Sequence, residues 1–264
     1  MWVASTKPFA IVRIDPATNK IVASIRIPGE ACSGLASGFG SIWAPICGKQ
    51  PALVRIDSAN DAISAILPIA PAGPERGIAA SDDSIWLATD TNGTLVRIDP
   101  STNKMCQKIS IPPGSYNPIF SDGIVWITGI EKNVLTAVDA NSGKVLESIP
   151  VGPKPRFLTA GAGSIWTLNQ GDGTVSRVDE KSRKVLATIQ VGIPGTGGDI
   201  GYGADAVWLT VFHVPLTRVE ATTNRVTKQW IGKGGDSLRF GFDSLWITDY
   251  QKGLLSRIPI KELR

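Results

Sequence analysis

PRFLTAGAGSIWTLNQGDGTVSRVDEKSRKVLATIQVG, residues 155–192, holds four short apolar runs parted by turn residues. The runs cover 157–160, 164–168, 174–178 and 185–191. None is long enough for a typical helix, and β-branched residues dominate them, so each predicts a β-strand. Glycine, aspartate and serine fill the gaps, which is the chemistry of tight turns. Within 164–168, Ile165 points one way while Trp166 and Leu168 point the other. A strand apolar on both sides belongs to a sheet packed on both faces.

The stretch recurs along the chain. Trp166 has counterparts at Trp2, Trp43, Trp86, Trp126, Trp208 and Trp246, spaced 38–43 residues apart. Four strands per unit at that period predict an all-β fold, a seven-bladed β-propeller of four-stranded antiparallel blades, as a single domain over 1–264. A parallel β-helix would want shorter coils, and a helical solenoid would want helices. The first unit lacks its first strand and the last has no clear fourth, which predicts about 26 strands rather than 28. Seven blades with an incomplete first one is the reading taken, over six full blades with an irregular closure. A sequence that starts inside a unit accounts for the gap.

The regular residues read as scaffold. The seven tryptophans are expected to pack between blades, and Trp230, outside their register, to pack at an outer edge. Asp15, Asp57, Asp99, Asp139 and Asp179, with Glu220 as a variant, open the turns after the third strands. A carboxylate there accepts backbone N–H bonds, so its repetition points to the turn and not to a metal. Arg13, Arg55, Arg97, Arg177, Arg218 and Arg257 stand two residues before those turns, with Ala137 breaking the series. Their stems are expected to lie over the blades and their heads to pair at the rim.

Composition narrows the function classes. Hydrophobic residues make up 42% and charged residues 19%, enough apolar material for a packed core. The net charge of +4 is small and scattered, without the clustered footprint of a nucleic-acid binder. No run of 18 apolar residues exists to cross a membrane as a helix. No secretory signal is visible after Met1. A monomer is expected, with neither nucleic acid nor membrane as partner. Cys32 and Cys47 fall in two loops that should be neighbours, leaving open a disulfide or, narrowly preferred, two free thiols. A bridge would place the protein in an oxidising compartment. Cys106, in a fourth strand, reads as a small core residue.

Candidate site residues come from the irregular loops. In an antiparallel blade, the link to the next blade and the turn between strands two and three share one end. There the units differ most, and variable loops on a rigid scaffold are where binding concentrates. The ligand-binding candidates are Arg76, Tyr116, Arg156, Asp199, Asp236, Arg239, Asp249 and Tyr250. His213 is the single histidine and the catalytic candidate, as a general base. One histidine cannot build a multi-histidine metal site, so a metal ligand set is left unassigned.

The patterns Gly-x-Gly-Ser-Ile-Trp, Gly-Thr-Val-x-Arg-Val-Asp and Lys-Val-x-x-Thr-Ile-x-Val-Gly resemble those of bacterial propellers related to streptogramin B lyase (virginiamycin B lyase) and to YVTN-type repeat proteins. The resemblance covers nearly the whole chain and rests on packing and turn residues. From the lyases it implies a magnesium-dependent elimination that opens a cyclic depsipeptide, with histidines and glutamates on late-blade loops. His213 is the counterpart here, while the last unit supplies Asp249 and Tyr250 and no second histidine. From the YVTN-type relatives it implies a periplasmic or extracellular propeller that binds a small molecule, peptide or protein without a cofactor. Non-catalytic binding on the variable loops is the reading taken, with the magnesium-dependent lyase as the alternative.

Overall fold

The computed structural model describes residues 1–192, 198–211, 214–232 and 235–263. Seven antiparallel sheets follow one another along the chain, the blades of a seven-bladed β-propeller. The first blade has three strands, β1 (Trp2–Thr6), β2 (Phe9–Asp15) and β3 (Lys20–Arg26). The second comprises β4 (Ala36–Gly38), β5 (Ser41–Ile46), β6 (Ala52–Asp57) and β7 (Ala62–Leu67). The third comprises β8 (Ile78–Ala80), β9 (Ile85–Asp90), β10 (Thr94–Asp99) and β11 (Lys104–Ser110). The fourth comprises β12 (Ser115–Ser121), β13 (Ile124–Gly129), β14 (Val134–Asp139) and β15 (Val145–Pro150). The fifth, the repeat quoted above, comprises β16 (Pro155–Gly161), β17 (Ser164–Asn169), β18 (Thr174–Asp179) and β19 (Val185–Gln190). The sixth comprises β20 (Asp199–Gly203), β21 (Ala206–Val211), β22 (Val214–Glu220) and β23 (Arg225–Trp230). The last has β24 (Leu238–Gly241), β25 (Ser244–Asp249) and β26 (Leu254–Pro259), followed by a single 3-10 turn at Ile260–Glu262. The missing first strand of blade one and the missing fourth strand of blade seven are as the repeat predicts.

The chain falls into two compact units, Met1–Ile127 with Ala137–Leu146, and Thr128–Thr136 with Glu147–Arg264. Each is built the same way. In the first, the inner strands β4, β8 and β12 lie side by side; in the second, β16, β20 and β24 do. Four of the repeat tryptophans reach across to the following blade. Trp43 packs with Ile78, Leu87 and Val96, and Trp86 with Val125 and Ile127. Trp166 packs with Ile200, Val207 and Leu209, and Trp208 with Leu238 and Leu245. These indoles are buried, as the all-apolar strands require. Trp230 packs against Trp208 with the rings tilted by 34° and their centroids 6.3 Å apart.

Five of the repeat indole nitrogens are satisfied within their own blade. Trp43, Trp166, Trp208 and Trp246 each donate to a glycine carbonyl five residues earlier, at 2.9–3.3 Å. Two of those glycines are required by close approach. A Cβ on Gly161 would lie 2.1 Å from the Tyr202 ring, and one on Gly203 would lie 2.1 Å from the Phe240 ring.

The periodic arginines are scaffold, in a more specific place than their sequence position predicts. Each guanidinium lies over the tryptophan of its own blade, at 4.7 Å for Arg55 on Trp43 and Arg177 on Trp166. Arg13, Arg55, Arg97 and Arg177 then reach the third-strand turn of the following blade. Arg177 Nη1 donates to the Ala221 carbonyl at 2.7 Å and to Asn224 Oδ1 at 2.8 Å. Arg55 Nη1 does the same to Pro100 and Asn103. The turn aspartates behave as expected: Asp179 Oδ1 accepts from the Ser182 N–H and hydroxyl, which holds its carboxyl below the usual range.

Cys106 corrects its expectation. It is exposed and carries a free thiol. Pairing steps from Arg97↔Gln107 to Ile98↔Met105, so Cys106 is the extra residue of a β-bulge on β11 and is turned out of the core.

Candidate functional site

Two groups of loop-end residues collect the sequence-predicted candidates, one in each compact unit. The first is built around the link into blade three. Cys32 and Cys47 form a disulfide with Cα atoms 5.6 Å apart, so the narrowly preferred free thiols are not what the structure contains. The two loops meet because their backbones pair: Cys47 N–H donates to Glu30 and Cys32 N–H to Pro45. The next link docks on this bridge. Glu75 N–H donates to the Cys32 carbonyl, and the Ser33 hydroxyl donates to the Arg76 carbonyl at 2.7 Å.

Arg76 and Tyr116 come together there. The Arg76 guanidinium sits 5.0 Å from the Tyr116 ring centroid, and its Nη1 donates to the Ser115 carbonyl. Tyr116 is placed in β12 and is buried, 6% exposed, and not on an open loop. Its hydroxyl contacts the Pro74 carbonyl and Glu75 Oε2, and burial pushes the phenol pKa up. Tyr116 thus shapes the patch from beneath, while Glu75 lies on the surface.

The second group gathers residues of β16, β20, β24 and the link into β24. Asp199 opens β20 and is buried. Its Oδ1 accepts the Ile200 N–H at 2.8 Å, and its Oδ2 accepts the Leu238 N–H at 3.1 Å and the Arg239 guanidinium. Its carboxyl oxygens thus accept from two backbone N–H groups and one guanidinium. Arg239 leaves 59% of its side chain to solvent. Asp236 is half-buried, and its backbone is fixed by an N–H bond to the Thr248 carbonyl and by the Thr210 hydroxyl on its own carbonyl. Burial raises the Asp236 carboxyl above its ordinary pKa, the neighbouring Asp199 and Asp249 raise it further, and Arg156 opposes them. Arg156 is half-buried on β16, its guanidinium 5.5 Å from the Phe157 ring centroid and bonded to Gln170 Oε1 at 3.5 Å. Burial lowers its pKa, and Asp236 counters.

Asp249 and Tyr250 stand at the turn after β25. Asp249 accepts from the Lys252 N–H at 3.1 Å and from Lys252 Nζ at 3.2 Å, which holds its carboxyl low. Tyr250 is largely exposed. His213 lies outside the described residues. Among the described residues no group of three His, Cys, Asp or Glu side chains is arranged to hold a metal ion.

Sequence reading missed Asn169 and Gln170. Both are buried at the end of β17. Asn169 takes a bond from Thr167 and donates to Thr174 and Ser176, and the Gly152 N–H in the link leading to β16 donates to the same Ser176 hydroxyl. The available signal was a pair of amides where the apolar run should have continued.

No protein-family model matches this sequence, and no curated protein matches it either. Solved structures do. The chain is similar to the structure titled "Structure of U3-55K", with TM-score 0.80 and 10% identity over 98% of this chain and 91% of that one. It is similar to BamB from Moraxella catarrhalis, with TM-score 0.69 and 12% identity over 98% and 84%. It is also similar to hydrazine synthase of Kuenenia stuttgartiensis, with TM-score 0.57 and 11% identity over 70% of this chain and 66% of that one. At such identities the likeness establishes the fold, and folds of this kind carry unrelated functions.

Proposed function

We propose that this protein is a non-catalytic binding propeller that recognises a peptide or protein segment carrying both signs of charge. The supporting observation is how the polar residues divide. Those that repeat are consumed by the scaffold: the arginines on tryptophans and neighbouring turns, the aspartates on their own turn N–H groups. Those that do not repeat collect at loop ends as a group of mixed charge, with a half-buried Arg156 and a half-buried Asp236 whose carboxylate is costly to keep ionised. A cationic side chain placed against Asp236 and Asp249 would relieve that cost, and an acidic one would meet Arg156 or Arg239. Arg76, with Tyr116 beneath it, offers a second contact patch in the other unit. Within this reading Asp199 positions Arg239, and Tyr250 is an exposed aromatic anchor.

The reading needs no cofactor. It goes with placement among YVTN-type bacterial propellers and not with the streptogramin B lyases, and with a periplasmic or extracellular setting, to which the Cys32–Cys47 bridge is suited. The test is selection of binders from a displayed random-peptide library, followed by calorimetry on wild type, Arg156→Ala and Asp236→Ala. A tenfold or greater loss of affinity in both variants, about 1.4 kcal/mol, is expected. Selected peptides of mixed charge that bind both variants as well as wild type would sink the proposal.

A further inference from the structure

The link that carries Arg76 follows an unfavourable backbone path between two firm anchors. At one end the Ala72 N–H donates to the Ala88 carbonyl at 2.8 Å. At the other, Gly77 lies so close to Asn117 that a Cβ would stand 2.3 Å from its Oδ1. Between them Gly73 has a φ of 147° and Glu75 a φ of 60°. The second value lies in the left-handed region, which a glutamate avoids because its Cβ crowds the carbonyl that follows. Such a conformation persists only where surrounding contacts hold it.

Those contacts come from two sides. On the side of blade four, the Tyr116 hydroxyl contacts the Pro74 carbonyl and Glu75 Oε2, and Arg76 Nη1 donates to the Ser115 carbonyl. On the side of blade two, the Glu75 N–H donates to the carbonyl of Cys32 itself at 2.6 Å, and the Ser33 hydroxyl donates to the Arg76 carbonyl at 2.7 Å. The strained residue and its neighbour thus hang on a cysteine of the bridge and the residue beside it. That loop is fastened to its partner by the Cys32–Cys47 bond, two backbone bonds and the isolated pair Ala31↔Ile46. Both cysteines are part-exposed, and Gly34, Gly48 and Lys49 beside them are exposed. A thiol in solution therefore has access to the sulfurs, and accessible bridges are the reducible ones.

We infer that the Cys32–Cys47 disulfide is a redox lock on the Arg76–Tyr116 patch. In the oxidised protein the bridge loop holds Glu75 in its strained path and Arg76 over the Tyr116 ring. Reduction by a dithiol slackens that loop, Glu75 leaves the left-handed region, and Arg76 comes off the ring. In the exchange, one thiolate of the dithiol attacks a bridge sulfur to give a mixed disulfide, and its second thiolate displaces the attached cysteine. Two electrons and two protons pass to the protein, leaving Cys32 and Cys47 as thiols and the reagent as a disulfide. The lock lies in the first compact unit and is read on the patch itself. It stands or falls apart from the reading of the loop ends as a binding site.

The test uses the whole chain, oxidised or treated with dithiothreitol. Titratable thiols should rise from one to three per chain, since Cys106 is already free. Amide hydrogen exchange at Glu75 should quicken by about tenfold or more on reduction, and trypsin should cut after Arg76 faster by a similar factor. The Ala72 N–H and the amides of residues 94–111 should keep their protection. Reoxidation should restore the slow rates. The paired substitution Cys32→Ser and Cys47→Ser should match the reduced protein, and Ser33→Ala in the oxidised chain should fall between the two states. The inference is overturned if the bridge resists the dithiol in the folded chain. It is equally overturned if exchange at Glu75 and cleavage after Arg76 change by less than about twofold, or if residues 94–111 lose protection together with Glu75, which would make the bridge a general staple of the fold.

Discussion

At the scale of single residues, the repeated Trp–Arg pair does most of the joining. Trp166 is fully buried against the next blade, and Arg177 lies on its face while bonding that blade's turn at Ala221 and Asn224. Trp166→Ala should cost about 3–5 kcal/mol through the cavity it leaves. Arg177→Met should cost about 1–3 kcal/mol through lost bonds to the turn. The two losses should not add, since Arg177 stacks on the ring that the first change removes. Chemical denaturation of both single variants and the double measures this. Arg218 shows what happens when the next turn changes. Blade seven has Leu263 where blade six has Asn224, and Arg218 bonds Glu220 and Thr227 of its own blade instead. Trp126 carries the other exception. Ala137 replaces the arginine, and among the described residues the indole nitrogen has no hydrogen-bond partner.

At the scale of elements, blades meet where small residues let strands approach. Gly203 ends β20 under the Phe240 ring of β24, with space for hydrogen only. Gly203→Ala should destabilise by about 1–3 kcal/mol, from overpacking, with no change in the local turn. Gly203→Ala combined with Phe240→Leu should recover part of that loss, and thermal denaturation of the pair checks it. The recurrent bulge on the fourth strands belongs to this scale as well. It adds one residue to the fourth strands of blades one, two, three, five and six, and Cys106 is that added residue in β11. Periodicity-two reasoning fails across such an insertion, because every side chain beyond it changes face.

At the scale of the whole molecule, the charge pattern sets an acid response with two opposed parts. Asp15, Asp99, Asp139, Asp179 and Asp249 have lowered pKa values because turn N–H groups, with hydroxyls at the first four and the Lys252 ammonium at Asp249, bond their ionised forms. Their contribution is present above the ordinary carboxylate pKa of 3.8 and is lost as pH falls through the lower folded values. Asp236 runs the other way. Its raised pKa makes the ionised carboxyl a burden that sets in as pH rises above the ordinary value. Asp236→Asn should therefore be more stable than wild type near about pH 7, with the difference vanishing near about pH 3, as denaturant midpoints at both pH values would show. The blade count, the strand count per blade and both short terminal blades were legible in the sequence. Regular spacing of Trp, Asp and Arg reports local pairing and packing, which recur identically and so leave a period. The disulfide, the burial of Tyr116, the Asp199–Arg239 pair and the Asn169 network were not legible. They join residues on different links and turns, and nothing in one repeat specifies what the loops of the next will bring beside it. The sequence alone determined that this chain is a stack of like four-stranded units joined through tryptophan. Only the tertiary structure decided which charges are left over once those units are packed, because burial and neighbouring charge exist only after the loops have converged.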